Sequence, residues 1–357
     1  YEVLLPYVKN RNDLNYVIGE MIGEISVGHA YVLGGDKPKP ERIKTGLLGA
    51  RISQDESGYF RIDEILQGEN WTKKGRSPLT EVGVSVNEGD FIIAVNGQPT
   101  NKVSDIYQLL VGKAGEQVML TINTSASKEG AKDVIVIPTA DESQLYYFQW
   151  VRNNIEKVSK ATDGQVGYIH IPDMGPGGLN EFVKYFYPQL NKRALIIDDR
   201  GNGGGNVSPM IIERLNRELS LYGMSRNNGI NTKPRQMMLG PKVLLMDNYS
   251  ASDGDLFPYQ FKKLEMGTII GVRSWGGVVG IRGSLPFIDG GDLRRPEFAP
   301  FDEEGNWVIE GFGVEPDIVV DNDPAKEYAG EDQQLNKAIE VIMYQLKDYP
   351  PQMEVPS

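Results

Sequence analysis

Apolar side chains near the start of the chain recur at helical spacing. They follow a possible helix cap at Asn12 or Asp13 and comprise Leu14, Val17, Ile18, Met21, Ile22 and Ile25. This pattern predicts a helix that ends near Gly28. The next stretch, "GGDKPKPER", combines glycine, proline and charge, which is the composition of a linker. A domain boundary is therefore expected close to residue 40.

The following hundred residues contain short runs that alternate between apolar and polar side chains. These runs read "YFRIDEIL", "DFIIAVNG", "QVMLTINT" and "DVIVIPT". They predict strands, and one helix is expected between them in "KVSDIYQLLVG". The order of these elements, together with "GLLGA" and "EVGVSVNEGDFIIAVNGQP", resembles a PDZ domain of the protease-associated kind.

The PDZ resemblance gives a role to one glycine-rich turn. Such domains pair an extended peptide with a strand edge and hold its carboxylate on backbone N–H groups. The resemblance therefore implies that the turn Gly46, Leu47, Leu48 and Gly49 binds peptide. The alternative is that this turn only starts a strand.

After residue 140 the pattern changes. A helical stretch, "DESQLYYFQWVRNNIEKVSKATDG", precedes the almost continuously apolar runs "VGYIHIP", "ALIIDD", "KVLLMD" and "GTIIGV", which alternate with further helical stretches. The alternation predicts an α/β layered domain, and the apolar runs indicate parallel strands buried on both faces. The predicted fold is an α/β multidomain chain with a helical element (1–38), a PDZ-like β-rich module (39–140) and an α/β domain (141–357).

Composition narrows the possible functions. The formal net charge of −12 over 357 residues argues against nucleic acid as a partner, because phosphate contacts need clustered Lys and Arg. No apolar run approaches the roughly 20 residues of a membrane span, so we expect a soluble protein with no membrane partner. The absence of cysteine excludes disulfides, thiolate catalysis and Cys-ligated zinc. We expect neither a metal nor another cofactor.

The stretch "NYSASDGDLFPY" contains a candidate nucleophile. Ser252 follows an apolar strand and stands at the predicted start of a helix, where free N–H groups and the helix dipole favour a developing negative charge. Catalysis is one interpretation. The other is structural, because Ser250, Ser252 or Asp253 could each serve as a helix cap.

A glycine-rich stretch offers a second candidate element. In "LIIDDRGNGGGNVSPM", four glycines lie between Gly201 and Gly205, after a strand and before a helix. Such a backbone can direct N–H groups into a site, which predicts an oxyanion hole. The competing interpretation is a phosphate loop, but the Walker lysine and the dinucleotide-binding spacing are absent.

A serine nucleophile needs a base, and the chain contains two histidines. His170 lies inside the strand pattern "VGYIHIP", which indicates a structural role. His29 closes the first predicted helix among small residues in "SVGHAYV". His29 is therefore the candidate base.

Five motifs follow one another along the chain: "GEMIGEISVGHAYV", the PDZ-like segment, "DDRGNGGGNVS", "NYSASDGDLFPY" and "EGFGVEPDI". Together they resemble the tricorn-type serine proteases, relatives of the C-terminal processing proteases, over essentially the whole chain. The resemblance implies a crotonase/ClpP-like catalytic domain and hydrolysis of peptides or oligopeptides through an acyl-enzyme. It also implies a homohexamer, a cytoplasmic location and propeller domains ahead of Tyr1. A removed signal peptide would instead imply the periplasm.

The resemblance assigns catalytic roles to individual residues. It makes Ser252 the nucleophile, His29 its general base, and Glu310 in "VIEGFGVEPD" the group that orients the histidine. The processing proteases use a lysine after the serine instead, and residues 264–291 contain none. The absence of that lysine supports a histidine base.

The resemblance also implies an oxyanion hole formed by the N–H of Asp253 and that of Gly205 or Gly204, with Gly205 favoured. One residue departs from the family pattern, because Gly28 replaces a serine that relays between glutamate and histidine. Ser26, which would share a helix face with the histidine, is a possible relay; direct or water-mediated contact is the alternative. The stretch "LYGMSRNNGINTKPR" lacks the acidic residue that selects basic substrates in the family.

Two other functions fit parts of the sequence. A non-catalytic peptide- or ligand-binding protein on the same scaffold, as among retinoid-binding relatives, would rely on the PDZ-like module. A crotonase-like acyl-CoA enzyme would explain the glycine-rich loop but not the PDZ-like segment. A fluorophosphonate probe separates the three, because only the protease is expected to react at Ser252.

Overall fold

The computed structural model describes residues 1–72, 74–227, 229–283 and 285–350. The chain forms two compact units. The α/β unit contains residues 1–38 and the chain from residue 155 onward, and the β-rich unit contains residues 39–154. The last part of the predicted α/β domain, residues 351–357, lies outside the described residues.

In the described ranges, the α-helices are α1 Arg11–Gly23, α2 Ser143–Ala161, α3 Pro176–Phe186, α4 Ser208–Leu215, α5 Asp253–Lys263, α6 Pro324–Tyr328 and α7 Gln333–Asp348. The strands of the first half are β1 Tyr31–Gly34, β2 Ala50–Gln54, β3 Phe60–Ile65, β4 Phe91–Val95, β5 Gln98–Pro99, β6 Val118–Asn123 and β7 Lys132–Val136. Those of the second half are β8 Val166–His170, β9 Ala194–Asp198, β10 Leu221–Ser225, β11 Gly229–Lys233, β12 Lys242–Met246, β13 Thr268–Gly271, β14 Gly280–Arg282, β15 Gly291–Phe298 and β16 Ile318–Val319.

The β-rich unit is built on an antiparallel sheet with the strand order β2-β3-β4-β6-β7, and β5 pairs with β4. Its strands cover the four runs in which apolar and polar side chains alternate, and their inward side chains form one core. The helix expected in "KVSDIYQLLVG" is a short 3-10 helix, Ile106–Leu110. Asp105 caps its start, and Gly112, with φ +71°, follows its end, so an α-helix does not develop.

The sheet of the α/β unit is parallel throughout, with the strand order β16-β13-β12-β9-β8. Helices α3, α4 and α5 pack on one face, and α7 with the second half of α2 packs on the other. Both faces are therefore buried, as the apolar strand patterns predict. In the described residues no helix is long and apolar enough to cross a membrane.

The first helix ends earlier than its apolar pattern predicts. Asn10, rather than Asn12 or Asp13, caps α1, because its side chain accepts the N–H groups of both. The helix stops at Gly23, and Ser26 adopts a left-handed backbone conformation with φ 55°. The chain from residue 24 to residue 30 is consequently a loop that leads into β1.

Two further sheets have weaker sequence signals. Strand β15 pairs with β1 and β14, and β10 pairs with β11 in a hairpin. The first of these sheets joins segments from opposite ends of the chain. It fixes the backbone that follows His29.

Candidate active site

Ser252 occupies a strained backbone position. It lies between β12 and α5 and has φ 58° and ψ −118°. A positive φ is uncommon for a residue with a Cβ atom, and such strain persists where the surroundings hold it. Its N–H donates a hydrogen bond to Asp255 Oδ2 at 2.7 Å. The geometry matches a serine displayed on a sharp turn before a helix.

The glycine-rich loop lies directly against this turn. A Cβ atom on Gly204 would lie 2.6 Å from both the Cβ of Ser252 and the carbonyl oxygen of Ala251. A Cβ atom on Gly205 would lie 2.0 Å from the carbonyl oxygen of Met174. Only glycine therefore permits this approach.

Two backbone donors beside Ser252 have no acceptor. Within the described part of the chain, neither the N–H of Gly205 nor that of Asp253 donates a hydrogen bond. The N–H of Gly204, in contrast, donates to Asn202 Oδ1 at 2.9 Å. This difference favours Gly205 over Gly204 as the second oxyanion donor, and the assignment stays a prediction.

His29 is buried in the loop between α1 and β1, with 7% of its surface exposed. The Trp275 ring meets it edge-on, with centroids 5.3 Å apart, and Tyr31 approaches similarly at 6.2 Å. Its Nδ1 atom is buried and has no hydrogen-bond partner among the described residues. The ring is thus held by packing and by a hydrogen bond with the backbone of Val279.

Glu310 is held beside the same loop. Its Oε2 accepts the N–H groups of Val278 and Val279 at 2.6 and 2.8 Å, and its Oε1 accepts the N–H of Gly28 at 3.4 Å. The carboxylate therefore contacts the residue before His29 and makes no direct hydrogen bond with the described imidazole. Its action on His29 is electrostatic.

The surroundings of His29 favour the neutral imidazole. Burial lowers the pKa of His29, while the nearby charges of Glu310 and Asp255 oppose that shift. The net direction is a pKa below the usual value of 6.5. The ring is therefore available as a base at neutral pH.

The relay suggested for Ser26 rests on a helix that does not extend that far. Because α1 ends at Gly23, Ser26 and His29 do not share a helix face, and Ser26 is exposed. At Gly28, a Cβ atom would lie 3.2 Å from the Trp275 ring. Trp275 thus occupies the space next to the position where a serine relay would stand.

Sequence reasoning missed Asp255. This residue is fully buried one turn into α5, and burial raises the pKa of its carboxyl group although hydrogen bonds from Ser274, Gly276, Gly277 and Ser252 lower it. A signal was present, because Ser252 and Asp255 form the Ser-x-x-acid pattern of a helix start.

Asn202 is a second residue that sequence reasoning missed. Its side chain bonds to the carbonyl of Ile171, to Asp199 and to the N–H of Gly204, while its own carbonyl accepts the N–H of Ala251. Burial raises the pKa of Asp199 well above its usual value. Asn202 thus joins the glycine-rich loop to the turn that carries Ser252.

His170 has structural surroundings. It lies in β8, and its Nε2 is 3.0 Å from the carbonyl oxygen of Arg200. The buried Arg200 side chain bridges Asp198 and Asp332. The structural interpretation of His170 agrees with these contacts.

The turn from Gly46 to Gly49 lies in the β-rich unit, and most of its N–H groups already have acceptors. Gly46 donates to Leu110, Leu47 donates to Thr139, and Gly49 donates to Glu142 Oε1 at 2.5 Å. Leu48 is fully buried. An incoming peptide carboxylate would have to displace Glu142.

Comparison with known proteins relates both units to peptidases. A family profile described as "Tricorn protease PDZ domain" matches residues 46–141, and one described as "Peptidase family S41" matches residues 165–320. The chain is 35% identical to "Tricorn protease" of Thermoplasma volcanium over 98% of its length and 34% of that protein. It is 39% identical to "Tricorn protease homolog" of Saccharolobus solfataricus, over 97% of this chain and 32% of that one.

A solved structure gives the same relationship. The chain superimposes on the structure titled "Crystal structure of the tricorn protease" with a TM-score of 0.89 and 34% identity, covering 97% of this chain and 33% of that one. The chain spans about a third of the length of the curated relatives it matches. The similarity therefore covers nearly all of this chain and a minor part of each relative.

Proposed function

Because the chain belongs to the tricorn-type serine proteases of peptidase family S41, we propose that it hydrolyses peptide bonds through an acyl-enzyme on Ser252. The observation that carries this proposal is the strained Ser252 turn, flanked by the unpaired N–H groups of Gly205 and Asp253. Any helix start leaves an N–H such as that of Asp253 free, but a helix cap alone requires neither the strain at Ser252 nor the unpaired N–H of Gly205.

In this mechanism, the hydroxyl of Ser252 attacks the carbonyl carbon of the substrate while His29 accepts its proton. The N–H groups of Gly205 and Asp253 donate to the oxyanion of the tetrahedral intermediate. The protonated His29 then donates its proton to the leaving amine, and water attacks the ester after activation by the same imidazole. The negative charges of Glu310 and Asp255 stabilise the imidazolium.

The substrates and the assembly follow the family resemblance. We propose peptides or oligopeptides as substrates, a homohexamer as the working assembly, a cytoplasmic location, and a crotonase/ClpP-like architecture for the α/β unit. In the β-rich unit, the outer edge of β2 would bind peptide, and the turn Gly46 to Gly49 would take part only where Glu142 is displaced from it. A non-catalytic binding protein is not favoured, because it has no use for unpaired donors around a strained serine.

The test combines active-site labelling with hydrolysis. A fluorophosphonate probe should label the wild-type chain at Ser252 and should label neither Ser252→Ala nor His29→Ala. Both variants should lose hydrolysis of a fluorogenic peptide library. His170→Ala, judged at equal folded fraction, is the matched control and should keep the activity. Labelling of Ser252→Ala, or loss caused by His170→Ala instead of His29→Ala, would contradict the assignment.

A further inference from the structure

Asp255 makes more contacts than a helix cap needs. Its Oδ2 accepts the N–H of Ser252 at 2.7 Å, which satisfies the capping role. Its Oδ1 accepts the N–H of Gly276 at 2.7 Å, and the N–H of Gly277 is 3.3 Å from Oδ2. The Ser274 hydroxyl contributes another hydrogen bond. One buried carboxylate therefore joins the nucleophile turn to a separate loop, residues 274–279.

The loop 274–279 forms the surroundings of the base. Trp275 packs edge-on against His29, and the N–H groups of Val278 and Val279 hold the Glu310 carboxylate. The loop is also tied to the nucleophile turn by the N–H of Trp275, which donates to Ser250. A shift of this loop relative to Ser252 would move both the packing and the charge that act on His29.

We propose that Asp255 is a positioning residue for catalysis. It holds the Ser252 turn and the loop that contacts His29 in a fixed position relative to each other. This inference rests on the proposed function. Asp255 contacts no reacting atom. It acts through Ser252 on one side and through residues 274–279 on the other.

The chemistry of the contacts requires a carboxylate. All four partners are donors, and the two carboxylate oxygens can accept all of them. An amide would place its NH₂ group against the N–H of either Ser252 or Gly276. Substitution by asparagine therefore keeps the size of the side chain but breaks the hydrogen bond to the N–H of either Ser252 or Gly276.

The charge of Asp255 provides a second readout. The titratable groups that face His29 in the described structure are Glu310, Asp255 and Tyr31. Removing the negative charge at Asp255 disfavours the imidazolium, so the pKa of His29 falls. The acidic limb of the kcat/KM profile, which reports the free enzyme, then moves to lower pH.

The experiment measures peptide hydrolysis by Asp255→Asn against the wild type between pH 4.5 and 9. We expect kcat to fall by at least about tenfold while KM stays within about threefold, because geometry rather than substrate binding is disturbed. We also expect the acidic limb to move to lower pH. Wild-type kcat would overturn the inference, and so would a lower kcat with an unmoved limb, since a purely structural cap gives that result.

Two further variants keep the test decisive. Asp323→Asn is the matched control, because Asp323 caps α6 through the N–H groups of Ala325 and Lys326 and should leave kcat and the limb unchanged. If Asp255→Asn does not fold, Ser274→Ala decides, because it keeps the charge of Asp255 and removes the Ser274 link, together with the hydrogen bond that Ser274 Oγ accepts from the N–H of Val314. It should lower kcat severalfold with an unmoved limb, and wild-type kcat would overturn the inference. Loss of hydrolysis by Ser252→Ala tests the proposed function separately.

Discussion

At the residue scale, the backbone of Ser252 is strained at the point where the proposed mechanism needs a reactive hydroxyl. Its φ of 58° is held by the Asp255 carboxylate and by the close approach of Gly204. Strain of this kind costs of order 1–3 kcal/mol per residue. Glycine adopts positive φ freely, whereas serine and alanine do not.

Two substitutions of the same serine therefore give different stabilities. Both Ser252→Ala and Ser252→Gly should abolish hydrolysis. Ser252→Ala should unfold close to the wild-type midpoint, whereas Ser252→Gly should raise the free energy of unfolding by about 1 kcal/mol over Ser252→Ala, because it releases the strain. Urea denaturation followed by circular dichroism measures the difference. Equal stabilities would show that the turn is unstrained, and hydrolysis by either variant would contradict the nucleophile assignment.

Replacing Glu310 tests the electrostatic support of the base. Glu310→Gln should lower kcat by at least about tenfold, or 1.4 kcal/mol of barrier, with a smaller effect on KM. Because the carboxylate charge raises the pKa of His29 against burial, its removal lowers that pKa. The acidic limb of kcat/KM should therefore move to lower pH. Glu315→Gln is the control, since Glu315 is exposed; a larger loss there would mean that the wrong glutamate was assigned.

The sequence allowed prediction of some of these residues and not others. Ser252 and the glycine-rich loop were recognisable because a turn between a buried strand and a helix has few other uses for such residues. The role of Asp255 was hidden, because three of its four partners lie in residues 274–277, which local patterns do not bring near. The helix face on which the Ser26 relay was argued is absent, because α1 ends at Gly23 and apolar spacing does not show where a helix ends.

At the scale of elements, the turn from Gly46 to Gly49 is already occupied. The carboxylate of Glu142 accepts the N–H groups of Gly49 and Ala50, and burial raises the pKa of that carboxyl. Glu142 directly precedes α2. Its carboxylate takes the place that the C-terminal carboxylate of a bound peptide has in PDZ domains.

Removing this internal carboxylate should open the turn. Wild-type protein should bind a fluorescent peptide with a free C-terminal carboxylate about as weakly as its C-terminal amide. Glu142→Ala should bind the free acid at least about tenfold more tightly than the amide, because charge-assisted hydrogen bonds contribute about 1.5–3 kcal/mol. Fluorescence anisotropy measures both. Glu116→Ala, an exposed change in the same unit, is the control; a wild-type preference for the free acid would contradict the prediction.

The predicted elements differ in accuracy for physical reasons. The parallel strands β8, β9, β12 and β13 agree with their sequence patterns because burial on both faces requires continuous apolar side chains. Strand β15 escaped prediction because it pairs with β1 from the other end of the chain and carries mostly polar side chains. Its position depends on tertiary contacts rather than on its own pattern.

At the scale of the whole molecule, large apolar side chains remain exposed between residues 285 and 312. Leu285 is 90% exposed, Trp307 71%, and Ile288 is fully exposed. Water contact at such a group of side chains favours association. These exposed side chains are candidate contacts between copies of the chain.

We predict that the chain forms a homo-oligomer in solution. Sedimentation velocity at micromolar concentration should show a species several times heavier than 39.7 kDa, with a hexamer as the expected limit. Ile288→Asp should shift the distribution toward the monomer, because it adds a charge to the exposed apolar surface. A single species of 39.7 kDa for the unmodified chain would contradict the prediction for this chain.

The β-rich unit interrupts the α/β unit, and this order has a consequence for synthesis. His29 precedes the interruption, while the glycine-rich loop, Ser252 and Glu310 follow it in that sequence. During synthesis, the proposed base His29 emerges from the ribosome long before the proposed nucleophile Ser252. The carboxylate of Glu310 emerges last. Until the segment with Glu310 has emerged, the growing chain lacks a complete set of catalytic groups. Under the proposed mechanism, full proteolytic activity is then acquired late in synthesis, which limits digestion by unfinished chains.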